Sequence, residues 1–224
     1  SQRRRGGCGC ENQDWVTSMQ LARALRLSPS HPSLRDSSPK LGCFGEGIAF
    51  VGAGGKTTAM FQLARELGTR VIVTATTHLG AWQIPMADRH IIAETSEDVR
   101  EILDGVTLVT GKVFEERTSP VNSSVLYWLH EKTRIDQIPL LIEADGARQK
   151  PLKAWAEYEP PIPGFADLVV QVAGLSGLGK PLTDEHVHRA EIFAKLSGLE
   201  IGETISPEAI IKVLTHPQGG LKNL

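Results

Sequence analysis

The stretch I-A-F-V-G-A-G-G-K-T-T, residues 48–58, predicts the fold of the chain around it. Its first four residues are apolar and indicate a buried strand. Three glycines follow, at positions 52, 54 and 55, and then Lys56, Thr57 and Thr58 lead into the segment 59–67, whose apolar residues recur at helical spacing. A strand, a glycine turn, Lys-Thr and a helix, in this order, are typical of a phosphate-binding loop.

The residue types in this loop suit an anion. Glycines let phosphate oxygens approach the backbone, and the N–H groups and dipole of a helix N-terminus favour negative charge. We expect Lys56 to face solvent and reach the terminal phosphates, and the Thr57 hydroxyl to ligate Mg²⁺. The predicted nucleotide-binding residues of the loop are Gly52, Ala53, Gly54, Gly55, Lys56, Thr57 and Thr58.

The spacing of the loop differs from the standard pattern G-x-x-x-x-G-K-[ST], whose first glycine would fall on Phe50. Here the loop is two residues shorter, and this form resembles the loop of the Mur ligases. The alternative interpretation is a glycine-rich turn with an incidental lysine.

Composition and charge favour an ordinary globular protein over a membrane protein or a nucleic-acid-binding protein. The 224 residues are 41% hydrophobic and 22% charged, as in ordinary globular proteins, and the net charge of −2 gives no electrostatic reason to expect nucleic acid binding. No apolar run approaches the roughly 20 residues of a membrane helix, and no signal-peptide core is evident. Cys8, Cys10 and Cys43 all precede the loop, and Cys8-Gly9-Cys10 alone does not make a metal site. We expect a cytoplasmic protein without disulfides.

Two regions are predicted. Residues 1–45 indicate a flexible N-terminal segment with a short helix over 15–27 and a linker over 28–45, and residues 46–224 a nucleotide-binding domain. Alternating apolar strands and amphipathic helices in the second region predict a P-loop NTPase-like, three-layer α/β fold with a mostly parallel sheet. Further strands are predicted at 70–75, 91–93, 106–110, 139–142 and 166–173, a loop or hairpin at 111–118, and helices at 96–103, 120–132, 183–196 and from 207.

Polar residues follow two of these strands. Thr76-Thr77-His78 comes after the strand at 70–75, and Glu143 and Asp145 end the strand that begins near 139. Because ligands gather at the carboxyl ends of parallel strands, we expect these residues to face the same crevice as Lys56.

The two acids have different predicted roles. An apolar strand ending in carboxylates is the form of a Walker B element, so Asp145 is expected to hold Mg²⁺ together with Thr57. We expect Glu143 to project from the opposite face of the strand and to act, with His78, on a second substrate or an attacking water. The alternative for His78 is a hydrogen bond to a loop carbonyl.

A run of cations follows the acids. Arg148, Lys150 and Lys153 are expected to meet anionic groups, and Arg148 is a candidate for nucleotide binding.

Four blocks of sequence together resemble the YqeC family of selenium-dependent hydroxylase accessory proteins: V-G-A-G-G-K-T-T (51–58), T-A-T-T-H (74–78), E-A-D-G-A-R-Q-K-P-L-K (143–153) and V-A-G-L-S-G-L-G-K-P-L (172–182) followed by D-E-H-V-H-R (184–189). The resemblance implies a P-loop nucleotide-binding protein that acts in the maturation of selenium-dependent molybdenum hydroxylases or their molybdenum cofactor. It also leads us to expect that the chain is truncated at its C-terminus relative to the family.

The leading hypothesis is an enzyme that hydrolyses ATP or GTP with Mg²⁺, or transfers a phosphoryl group, with Lys56, His78, Glu143 and Asp145 as catalytic residues. The alternative is a module that binds a nucleotide or a nucleotide-linked pterin without turnover. A Mur-like ligase is a third interpretation, but 224 residues leave no room for its extra substrate domains.

Overall fold

A six-stranded parallel sheet forms the centre of the computed structural model, which describes residues 21–25, 27–28, 41–42, 47–67 and 70–224. The strand order is β6-β1-β5-β2-β4-β3, and every neighbouring pair is parallel. The strands are β1 (Gly47–Gly52), β2 (Arg70–Ala75), β3 (Arg89–Ile92), β4 (Gly105–Thr110), β5 (Leu140–Glu143) and β6 (Leu168–Val172). The predicted three-layer α/β fold with a mostly parallel sheet is confirmed.

Helices cover both faces of the sheet, and the longer ones are α1 (Lys56–Leu67), α2 (Ser123–Asp136), α3 (Ala190–Ser197) and α4 (Pro207–Leu214). On one face, Met60 and Leu63 of α1 belong to the same buried cluster as Phe50 of β1. On the other face, Leu129 of α2 shares a cluster with Ile142 of β5. Burial on both faces explains why these strands are almost continuously apolar in sequence.

The order of the strands reverses beside β1. From β1 the chain passes through α1 to β2, which lies beyond β5, whereas from β5 it crosses to β6 on the other side of β1. Neighbouring strands whose connections leave in opposite directions create a crevice at their carboxyl ends, where open α/β sheets bind ligands. The loop after β1 and the acids at the end of β5 therefore flank the expected binding crevice.

Residues that follow β5 in the chain form a third buried cluster. It contains Trp155 together with Phe193 of α3 and Ile210 of α4. The predicted helix over 183–196 is wrong at its start, because Val187–His188 pairs in parallel with Leu152–Lys153 and the helix begins only at Ala190. Helix α4 begins as predicted, with the Ser206 side chain accepting the N–H of Ala209.

The predicted helix over 96–103 is also wrong, since only the turn Ser96–Asp98 is helical, of the 3₁₀ type. The Asp98 carboxylate accepts the N–H groups of Glu94 and Thr95 at 2.9 and 2.8 Å. Such local hydrogen bonds from side chain to backbone compete with helix propagation. Of the two alternatives predicted for 111–118, a loop or a hairpin, the structure has the hairpin, with Val113–Phe114 antiparallel to Arg117–Thr118.

The short elements complete the description. Within 15–27, the described helix covers Leu21–Ala24, and Leu27–Ser28 pairs with Leu41–Gly42. The predictions for residues 1–13 and for Cys8, Cys10 and Cys43 lie outside the described residues. Two further 3₁₀ turns are Ala81–Met86 and Leu175–Gly177. In the part of the chain that is described, no helix has both the length and the apolarity to cross a membrane.

Candidate functional site

The loop after β1 turns tightly through its glycines. Gly52, Gly54 and Gly55 have φ values of +104°, +68° and +112°, a region that residues with a Cβ rarely adopt. At Gly52 a Cβ would lie 2.2 Å from the Val172 carbonyl oxygen, whereas at Gly55 it would meet nothing within 4 Å. The loop is thus held against β6 at its start and is open at Gly55, directly before the N-terminus of α1.

Lys56 folds back into this loop. Its Nζ donates to the Gly52 carbonyl oxygen at 2.8 Å and lies 3.3 Å from Asp145 Oδ1 and 3.6 Å from Glu143 Oε1. The side chain is only 5% exposed, so the prediction that Lys56 faces solvent is wrong. The two carboxylates at the end of the neighbouring strand attract the ammonium group inward.

Glu143 and Asp145 share this environment. The prediction that they project from opposite faces is wrong: both lie within 4 Å of the same ammonium nitrogen. Residues two apart along extended chain point to the same side, because side chains alternate with a period of two. The strand therefore delivers both carboxylates to the β1 loop.

Thr57 pairs with Glu143 rather than with Asp145. Its hydroxyl donates to Glu143 Oε2 at 2.6 Å, and both side chains are buried. Burial raises the pKa of the Glu143 carboxyl, against the opposing effects of Lys56 and the Thr57 hydrogen bond. A hydroxyl beside a carboxylate provides two hard oxygen ligands at one point of the crevice.

Asp145 is bound by the protein itself. Its two oxygens accept the Gly52 N–H at 3.0 and 3.1 Å, and Oδ2 also accepts from Lys153 Nζ and Trp155 Nε1, each at 2.9 Å. The carboxylate is 1% exposed. Its present contacts therefore fix the start of the loop.

A chain of alternating charges continues from Asp145. The fully buried Lys153 Nζ lies 3.3 Å from Glu159 Oε2, and Arg189 binds both Glu159 oxygens, at 2.5 and 2.9 Å. Although burial opposes it, Arg189 and Lys153 lower the pKa of Glu159. The prediction that Lys153 meets an anionic ligand is wrong, because its ammonium group is enclosed by protein carboxylates.

Sequence reasoning missed Trp155, Glu159 and Arg189 as members of this network. The sequence pointed to this network only through the two acids and the cations that follow them within 143–153. Nothing in the spacing links these residues to Glu159 or Arg189.

Arg148 lies in a turn beside the crevice. Arg148 and Gln149 both have left-handed backbone, with φ of 49° and 60°, and the Lys150 N–H closes the turn on the Ala147 carbonyl at 2.9 Å. Left-handed backbone at two successive non-glycine residues is strained, and such strain is common near binding sites. The Arg148 side chain is exposed.

The Thr76-Thr77-His78 segment leaves β2 beside Glu143. The Thr76 N–H donates to the Glu143 carbonyl at 3.0 Å, and the Thr76 hydroxyl donates to the Ala144 carbonyl at 3.0 Å. His78 Nδ1 lies 2.9 Å from the Thr118 carbonyl oxygen. Because a carbonyl only accepts, Nδ1 carries the proton in the neutral ring and Nε2 keeps a free lone pair.

His78 also lines an open cleft of about 550 Å³ with residues of the adjoining hairpin. The other lining residues are Phe114, Glu115, Glu116, Arg117 and Ser119.

The remaining loop residues are placed as follows. The Ala53 N–H donates to the Val172 carbonyl at 2.8 Å, so it is occupied by β6. Gly54 is exposed, and Thr58 is exposed in the first turn of α1. Among the described residues, no group of three or more His, Cys, Asp or Glu side chains converges as a metal site.

Comparison with known proteins agrees with the sequence blocks that surround this site. The family model described as YqeC protein matches residues 48–191, which include the β1 loop, the acids of β5 and Arg189. A protein of Escherichia coli (strain K12) named "Uncharacterized protein YqeC" is 33% identical over 184 residues, covering 79% of this chain and 70% of the relative. The search of solved structures found no match. The chain belongs to the YqeC family.

Proposed function

We propose that this protein binds a nucleoside triphosphate with Mg²⁺ on the loop 52–58 and hydrolyses it or transfers its terminal phosphoryl group. The observation that carries the proposal is the position of Lys56. It places a buried ammonium group at the end of a glycine loop, on the first residue of a helix, in contact with Glu143 and Asp145 at the end of the neighbouring strand β5. Together these features provide a cation, free N–H groups and oxygen ligands at one sheet edge.

Binding requires Lys56 to change partners. Its hydrogen bond to the neutral Gly52 carbonyl can be replaced by one to a phosphate oxygen, which is itself charged. In this exchange the ammonium group would move from the loop backbone to the β- and γ-phosphates, where it would offset the charge that develops during transfer.

The contacts of Glu143 and Asp145 support different roles for these two acids from those expected from the sequence. Thr57 and Glu143 are already hydrogen-bonded to each other, so they would hold Mg²⁺, directly or through its water ligands. Asp145, whose oxygens bind Gly52, Lys153 and Trp155, would act by positioning the loop.

His78 is assigned the proton transfer. Its free Nε2 lone pair could accept a proton from water or from a second substrate in the cleft beside the hairpin, and the Thr118 carbonyl would fix the ring in the required tautomer. The exposed Arg148 would contact the phosphates from the turn after β5.

The biological setting follows from the resemblance to selenium-dependent hydroxylase accessory proteins. We propose that the turnover of ATP or GTP accompanies maturation of a molybdenum hydroxylase or its cofactor in the cytoplasm. Phosphate release should then increase when a partner hydroxylase is added.

The test is calorimetric titration of the full chain with MgATP and MgGTP. Lys56→Ala should weaken the affinity at least about a hundredfold, or about 2.7 kcal/mol. The control is Lys112→Ala, which removes an exposed lysine paired with Glu94 on the surface. Equal affinity of Lys56→Ala and the unmodified protein would contradict the proposal. Binding without phosphate release, with or without the hydroxylase, would instead indicate a nucleotide-binding module.

A further inference from the structure

The segment after β6 lies against the β1 loop. Residues Val172 and Gly52 are register partners, so the chain leaves both strands at the same level of the sheet. Beyond the strands the contact continues: a Cβ on Gly54 would lie 2.5 Å from Gly174 Cα and 2.5 Å from the Pro151 carbonyl oxygen. The tip of the loop and Gly174 therefore touch backbone to backbone.

The next two residues are presented to solvent. Leu175 is 73% exposed and Ser176 is also exposed, although Leu182 belongs to the third buried cluster and the partly buried Leu178 packs against it. The exposed pair is ordered by the 3₁₀ turn Leu175–Gly177, in which the Gly177 N–H donates to the Gly174 carbonyl at 3.1 Å. The turn thus holds the backbone of an exposed apolar residue next to Gly174, which touches the proposed phosphate loop.

The two sides of the loop differ in charge. On the β5 side lie Lys56, Thr57 and Glu143, which suit phosphates and a metal ion. On the β6 side, the segment A-G-L-S-G-L-G over 173–179 carries no charge. A nucleotide whose phosphates occupy the charged side can extend its sugar and base along the uncharged segment, where an aromatic base would meet an apolar contact.

We propose that Leu175 and Ser176 form the contact surface for the base of the bound nucleotide. Leu175 would cover the face of the ring, and the Ser176 hydroxyl would bind an atom at its edge. The inference rests on the proposed function, since it assumes that the phosphates occupy the loop 52–58. It assigns base recognition to the segment 174–176.

The experiment compares ligands with and without a base. The full chain and Leu175→Ala are titrated with MgATP, MgGTP and magnesium tripolyphosphate. Ile135→Ala serves as the control, because Ile135 is 76% exposed on the last turn of α2. Leu175→Ala should weaken the better-bound nucleotide about fivefold, as expected for losing part of one apolar contact, and leave tripolyphosphate within about twofold. The control should change neither.

Three outcomes would overturn the inference. If Leu175→Ala loses affinity for tripolyphosphate as much as for the nucleotide, Leu175 supports the loop and not the base. If the variant binds the nucleotide like the unmodified protein, the base lies elsewhere and the proposed function stands. If the unmodified protein binds neither nucleotide nor tripolyphosphate, the proposed function is wrong and the inference fails with it.

Discussion

Asp145 accepts the backbone N–H of Gly52 with both carboxylate oxygens, at 3.0 and 3.1 Å. The hydrogen bond joins the end of β5 to the first glycine of the loop, 93 residues earlier in the chain. The same carboxylate is the nearest charged partner of the buried Lys153 ammonium group, at 2.9 Å against 3.3 Å for Glu159. The Asp145 carboxylate therefore both fixes the start of the loop after β1 and stabilises the buried row of charged side chains that begins at Lys153.

Asp145→Asn should lower the free energy of unfolding by about 3–5 kcal/mol, because it leaves Lys153 buried with only Glu159 as a charged partner. Chemical denaturation measures the change. Asp136→Asn, which breaks a partly exposed pair with Lys132, should cost no more than about 1 kcal/mol. Adding Lys153→Met to Asp145→Asn should recover part of the lost free energy of unfolding. If Asp145→Asn costs no more than the control Asp136→Asn, Asp145 does not stabilise the fold.

Magnesium binding should depend on Thr57 and Glu143. Thr57→Val and Glu143→Gln should each reduce the gain in nucleotide affinity that Mg²⁺ provides by at least about tenfold, or about 1.4 kcal/mol. The first variant removes the hydroxyl oxygen, and the second replaces the charged carboxylate with a neutral amide. Titrations with Mg²⁺ and with a chelator give this gain directly. If Asp145→Asn abolishes the gain while Glu143→Gln preserves it, the assignment expected from sequence is correct and the one proposed above is wrong.

The raised pKa of Glu143 predicts a pH dependence of stability. Above its ordinary value of 4.5, and up to the raised value, the folded state binds more protons at this carboxyl than the unfolded state does. The contribution of this group to the unfolding free energy must then fall as pH rises through that window.

Glu143→Gln stays neutral throughout this range, and its amide oxygen can still accept from Thr57. The melting temperature of the variant relative to the unmodified protein should therefore increase as the pH rises above 4.5. The exposed Glu97→Gln should show a much flatter difference. A Glu143→Gln difference that is constant or declines with pH would contradict the raised pKa.

His78→Ala separates a role in proton transfer from a role in holding the hairpin. If Nε2 is the base, nucleotide affinity should stay within about threefold, under roughly 0.7 kcal/mol, while turnover falls about a hundredfold. His78→Asn tests the other role, because its amide can still donate to the Thr118 carbonyl but supplies no comparable base. Full turnover in the asparagine variant would assign His78 to the hairpin alone.

The local patterns predicted most of the sheet because its four inner strands, β1, β2, β4 and β5, are buried on both faces. The run at 48–51 and the run at 70–75 are apolar for that reason, and their bounds were found within about one residue. The segment 183–188 was predicted as helix because its tertiary partner, Leu152–Lys153, lies about 35 residues earlier and leaves no local signal. Tertiary pairing overrides helix propensity in such short segments.

The sequence predicted which residues form the candidate site, but not the contacts that these residues make with one another. Lys56, Thr57, Glu143 and Asp145 all lie where the strand ends converge, as the parallel sheet requires. The burial of Lys56 and the Thr57–Glu143 pair depend on how far two acids at the end of β5 reach towards the loop. That distance is set by the register of β1 against β5, which no local pattern encodes.

The position of β1 between β5 and β6 also affects when the site can form during synthesis. β1 ends at Gly52, whereas its partner β6 ends at Val172, so 120 further residues must be made before both edges of β1 are paired. At about 5–20 residues per second this takes roughly 6–24 s. During that interval the glycine loop lacks the Val172 and Gly174 backbone against which it is held, and a nascent chain that ends before β6 should present β1 as an unpaired strand edge open to association with other chains.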